Sequence, residues 1–136
     1  FAVVKKATGT SRYIFDGKTG NIPALISNWS SKSYEYFTGS DRQTFSVSAT
    51  GINVISFRGN ASALVGRFNS SQMFSITPAV NLIGDAIGRL GSDSSGASYF
   101  YDGDMCELIM YDAFLSDSNM AAAEAYLEAR WGISPF

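Results

Sequence analysis

Histidine is missing altogether from this 136-residue chain, which removes at once the commonest general base and the commonest zinc ligand. The one cysteine, Cys106, has no partner for an internal disulfide and reads as a small buried side chain in a strand rather than a reactive thiol. The redox compartment stays open. Charge is scarce and nearly balanced: ten Lys and Arg against twelve Asp and Glu give a formal net of -2, with no basic stripe. Nucleic acid and an acidic membrane are therefore poor partners. No run approaches the roughly 18 uninterrupted apolar residues of a membrane span. No secretion leader, no repeat of about 20 to 50 residues and no low-complexity linker is visible. Helical patterning is rare too. A parallel alternating fold needs several amphipathic helices, and only one pattern of that kind occurs.

What remains is apolar and turn-rich. Hydrophobic residues make up 46% of the chain, enough for one domain over residues 1–136 with a real core. Aromatics at 14% and thirteen glycines point to many short strands joined by tight turns. Strands are expected at Phe1–Lys6, Arg12–Phe15, Pro23–Asn28, Tyr34–Thr38, Thr44–Ser48, Asn53–Arg58, Ala61–Phe68, Gln72–Thr77 and Leu82–Leu90. Asp16-Gly17 and Gly20-Asn21 read as turns, and Gly59-Asn60 as a two-residue hairpin turn. Pro23–Asn28 and Tyr34–Thr38 form a candidate hairpin, and Phe45 and Val47 alternate inward against hydroxyl residues outward. This spacing is that of an all-β sandwich or jelly roll with one helix at its end.

The period changes only between Ser98 and Gly132. Two apolar strands hinged at Asp102-Gly103 are expected first, then the helix. In Met105–Tyr111 both faces are largely apolar, which predicts a central strand covered on both sides. Ser116 suits the N-cap, Asp117 the positive end of the helix dipole, and Leu115 with Met120 the spacing of a hydrophobic staple. Met120, Ala123, Leu127 and Trp131 form one apolar stripe, and Glu124 and Glu128 fall off it. Arg130 complements the last turn, Gly132 fits the left-handed cap, and Pro135 prevents resumption. A helix this short is marginal in water, so Leu127 and Trp131 must dock on the sheet.

The run Gly103-Asp-Met-Cys-Glu-Leu-Ile-Met-Tyr-Asp112, the Leu115-Ser-Asp helix start and Tyr126-Leu-Glu-Ala-Arg-Trp-Gly132 together resemble the C-terminal part of laminin G-like, concanavalin A-like jelly-roll domains. The resemblance covers Ile83 to Ile133. Upstream, Val54–Asn60 resembles that family's hairpin and Phe1–Lys6 an interior strand. It implies an antiparallel jelly-roll sandwich from a secreted bacterial or phage virion protein, hence an extracellular or virion-associated location. Because the given sequence opens already in strand and without Met, it also implies a piece whose N-terminal strands lie elsewhere, or a trimmed product. Sheet edges and apolar surface would then be open to a partner.

Three groups of residues are candidates for chemistry. Trp29, Tyr34, Tyr36 and Arg42 combine flat rings with polar tips, as a glycan-binding surface does, though the same rings suit a core or a protein interface. Tyr99 and Tyr101 allow a similar reading. Asp93, Asp102 and Asp104 offer oxygen ligands for calcium, but without the spaced loop of an EF-hand. No other cofactor is expected. Asp102, Asp104 and Glu107 resemble the carboxylate string of a jelly-roll glycosidase family, whose pattern begins with Glu instead of Asp102. In a regular strand Asp104 and Glu107 point to opposite faces, so catalysis would need a bulge, and Glu107 can simply pair with an arginine such as Arg89. The leading expectation is a non-catalytic recognition module, lectin-like or adhesive. The alternatives are a structural virion component acting through subunit contacts and a glycoside hydrolase or lyase.

Overall fold

Side-chain alternation decides which strands stand face to face. The computed structural model describes residues 1–17, 24–28, 33–38, 41–45, 47, 51–78 and 87–135. Its strands are β1 (Ala2–Lys5), β2 (Arg12–Gly17), β3 (Ala24–Ser27), β4 (Tyr34–Thr38), β5 (Asp41–Phe45), β6 (Ile52–Gly59), β7 (Leu64–Phe68), β8 (Ser71–Ile76), β9 (Ile87–Leu90) and β10 (Met105–Leu108), followed by α1 (Asp117–Trp131). They build two five-stranded sheets, ordered β10-β1-β6-β7-β8 (sheet A) and β5-β4-β3-β2-β9 (sheet B), and the pairings are antiparallel. The chain is thus a β-sandwich with one C-terminal helix.

Ala2, Val4, Ile55, Leu64 and Phe68 of sheet A meet Ile14, Leu25, Tyr34, Tyr36 and Phe45 of sheet B in one apolar core. Phe57 binds the layers together: it stacks on Tyr36 at 4.0 Å between ring centroids and meets Phe45 edge-on at 5.5 Å. Offset and edge contacts of this kind add roughly 0.5–1.5 kcal/mol beyond burial. Gly66 lets the Phe74 ring cross β7, since a Cβ there would sit 2.2 Å from it.

Several local expectations change in this setting. Asp16 and Gly17 continue β2 instead of turning, and the Asp16 carboxylate, buried, accepts from the backbone of Gly17 and of Ser94. Gly59 pairs with Leu64, so the hairpin loop has four residues and not two; the Asn60 side chain closes it by accepting from Ser62 and Ala63 amides. The two-residue turn is instead Asn69-Ser70, whose φ values of 42° and 63° are those a type I′ hairpin requires. Residues 98–104 hold no strand, and Tyr99 has a left-handed φ of 54° that breaks extended backbone there. The upstream part of the expected Leu82–Leu90 strand and the Gly20-Asn21 turn lie outside the described residues.

The largest correction concerns β10. It is the edge of sheet A among the described residues, not a central strand. Both of its faces are apolar because the core lies under one and α1 over the other. Val3 pairs with Glu107 and Val4 with Met105, so Cys106 is an extra, bulged residue. Met105 and Leu108 then both reach the core, while Cys106 and Ile109 join the cluster around Val3, Val54 and Leu127 beneath the helix.

The helix caps agree with expectation. Ser116 is extended and its hydroxyl accepts from Asn119 N at 3.2 Å, and Gly132 is left-handed with φ 63°. Its buried face does not agree. Met120 and Leu127 are buried, but so are Glu124 and Glu128, while Trp131 is half-buried and donates from Nε1 to Glu107 at 2.9 Å. Ile52, Val54, Ser56 and Arg58 share the outer face of β6, so the surface under α1 is apolar at one end and polar at the other. Truncating Leu127 to Ala is expected to cost about 2–5 kcal/mol in denaturant unfolding. An unchanged midpoint would show that the helix is not held by this contact.

Candidate functional site

Residues 109–116 link β10 to α1 across one end of the sandwich. Ile109 and Phe1 exchange backbone hydrogen bonds of 2.8 and 2.9 Å, which extend the β1–β10 ladder by one rung. Beyond that rung the chain leaves the sheet. Arg58 pins it: Nη1 donates to Leu115 O at 2.7 Å, Nη2 pairs with Asp117, and the guanidinium lies 4.9 Å from the Phe114 ring centroid. Leu115 is half-buried by this arrangement, and its neighbours are not. Met110 is 63% exposed, Tyr111 52% and Phe114 44%, and Tyr126 on the facing side of α1 is 54% exposed.

Two hollows flank this segment. A recess of about 220 Å³ runs inward between the sheets, lined by Phe1, Phe15, Tyr36, Phe57 and Leu108 to Tyr111. A groove of about 370 Å³ lies between the segment and α1, lined by Ile109, Tyr111, Leu115, Asn119, Ala123 and Tyr126. Ile109, Tyr111 and Leu115 belong to both, so the two hollows adjoin; the groove is mainly apolar, while Arg58 also lines the recess. Among the described residues lining either hollow, none is a carboxylate or a cysteine. The arrangement suits an apolar or aromatic group inserted from outside, and the recess is below the size of pockets that take drug-sized ligands, roughly 300 Å³ and up.

The residues singled out from the sequence fall elsewhere, except Tyr36. Trp29 lies outside the described residues. Tyr34 and Tyr36 are not on the surface, with relative exposures of 0% and 7%, because β4 turns them toward sheet A. A stacking platform needs open ring faces, and the face of Tyr36 is covered by Phe57. Burial pushes the hydroxyls of both tyrosines well above their ordinary acidity range; the Tyr34 hydroxyl makes no hydrogen bond of normal geometry, although the Asn53 side chain is close enough to act on it. Arg42 is half-exposed on the other face of β4–β5, 3.5 Å from the buried Glu35. The structure does not bring these four together as one open surface.

The acidic candidates are tied up locally. Asp93 caps its own loop, accepting from Ser95 Oγ at 2.7 Å, and that bond above all holds its carboxyl below the usual range. Asp102 accepts from Thr8 Oγ1 and Gly9 N, and Asp104 lies 3.8 Å from Lys5. Glu107 pairs with Arg130 at 3.2 Å, not with Arg89, whose Nε donates to Ser94 O. Among the described residues no three Cys, Asp or Glu side chains converge as metal ligands. No described helix is long and apolar enough to cross a membrane.

No family model, curated protein or solved structure matches the chain.

Sequence reasoning missed the exposed run Met110 to Phe114; its only signal was an aromatic, Phe114, just ahead of a polar N-cap. If Tyr36 is a core residue, Tyr36→Ala should lower unfolding stability by about 3 kcal/mol or more, as large aromatic truncations do. A variant as stable as the parent would return this ring to the surface.

Proposed function

We propose that the chain is a non-catalytic recognition module that docks a partner protein through the recess and groove beside residues 109–115. The partner is the remainder of the parent protein or a neighbouring subunit, in an extracellular or virion-associated setting. One observation carries this reading: Met110, Tyr111, Phe114 and Tyr126 stand exposed around two adjoining hollows, the groove among them mainly apolar. Exposed apolar clusters mark interaction sites, and aromatic anchors seated in pockets dominate binding energy. The finer fold assignment, a concanavalin A-like, laminin G-like jelly roll, is supported by the pairing of β1 with β10 and by the passage of the chain from sheet A to B, back to A, then B and A again. Lectin-like glycan binding is the second reading. Tyr111 and Tyr126 line one groove, with rings that suit stacking on sugar faces.

A photo-crosslinking residue at position 110 or 114, in the intact parent assembly, is expected to give adducts to a defined protein segment, and one at the exposed Ala125 is not. Met110→Asp should weaken that contact at least tenfold and leave stability within about 0.5 kcal/mol, as exposed substitutions do. Adducts no more frequent at 110 and 114 than at 125 would overturn the protein-docking reading. A glycan-array signal abolished by Tyr111→Ala would replace it with the lectin reading.

A further inference from the structure

Part of helix α1 is reversed in polarity. Ala122, Ala125 and Ala129 face solvent, whereas Glu124 is 0% exposed and Glu128 6%. Two carboxylates are therefore pressed against the outer face of sheet A, and among the described residues that meet them there the one guanidinium is Arg67. From β6, the Ser56 hydroxyl donates to Glu124 Oε1. From β7, Arg67 brings Nε to 3.2 Å from Glu124 Oε2, yet neither atom completes a hydrogen bond of good geometry. From the β7–β8 turn, Ser70 donates to Glu128 Oε1 at 2.8 Å, and Arg67 also donates to Ser70 O. The amino group of Phe1 is close enough to feel the Glu124 charge. Glu128 itself repels Glu124 along the helix. Among the described residues the cluster sets two carboxylates against one guanidinium and the nearby Phe1 amino group, and Glu124 Oε2 has only the poorly aligned Arg67 Nε beside it.

We propose that docking of α1 on sheet A is proton-linked: the helix is held most firmly while Glu124 retains a proton, and its middle turns loosen as that proton is lost. The ends of α1 are anchored differently. Asp117 pairs with Arg58 at the start, and Glu107 holds Trp131 and Arg130 at the end, each a balanced pairing. Among the described residues, the overcharged part is the centre. Burial is the largest influence on the Glu124 carboxyl and pushes it above its ordinary value, the Ser56 bond and Arg67 pull it back, and Glu128 pushes it up again. A carboxyl raised in the folded chain contributes its stabilisation fully below the ordinary glutamate value, and loses it as pH rises through the raised one. Loosening would uncover Val3 and Val54, which Leu127 now covers, and would move one wall of the groove.

Hydrogen exchange on the intact chain, corrected for the chemical rate at each pH, tests this directly and needs no partner. Opening of the α1 amides should increase, by up to tenfold per pH unit, as pH rises from the ordinary glutamate value towards the raised one and level off above it, while sheet B amides at β3 stay flat. Glu124→Gln, which keeps the acceptor for Ser56, should abolish the slope. Glu128→Gln should reduce it and serves where the first variant folds poorly. A pH-independent opening of α1, an equal slope in β3, or an undiminished slope in a folded Glu124→Gln or Glu128→Gln protein would each overturn the proposal.

Discussion

Strand β6 carries two interfaces at once, and the rest of the molecule depends on its doing so. Its inward residues Ile55 and Phe57 hold sheet B, and its outward residues Ile52, Val54, Ser56 and Arg58 receive α1. The lengths match. The seven residues of strand from Ile52 to Arg58 span about 20 Å, and the fifteen residues of helix from Asp117 to Trp131 span about 21 Å. Each outward residue therefore has a counterpart on α1, running from the apolar Val54–Leu127 contact to the charged Arg58–Asp117 pair.

This pairing explains why an edge strand can read as a central one. With α1 laid over sheet A, β10 has a core on one face and a helix on the other, and the Cys106 bulge lets Met105 and Leu108 face inward together. The helix also engages Glu107, whose carboxylate accepts from Trp131 and pairs with Arg130. The segment between β10 and α1 must then cross the end of the sandwich, and it is this crossing that leaves Met110, Tyr111 and Phe114 in solvent beside an opening into the core.

Burying glutamates under a helix is a costly solution to packing it. An apolar pair of the same size would pack as well or better, since desolvating a charge often exceeds what its partner returns. What the polar cluster adds is register: Glu124 meets Ser56 and Arg67, which are cross-strand neighbours, while Glu128 one turn on meets Ser70.

Much of the secondary structure was determined by residues close together in the chain. The helix limits follow from Ser116 and Gly132, and most strands from alternation between turn residues, because caps, turns and pleats are satisfied within a few residues. Which face of an element is buried was decided only by the tertiary structure. Glu124 belongs to the inside because Ser56, 68 residues away, offers it a donor, and Tyr34 and Tyr36 belong there because sheet A lies over them. The recess was equally invisible, since its walls come from segments that meet only when both sheets and the helix are in place. Local chemistry sets the element; burial is a relation between elements, and no single stretch of chain contains it.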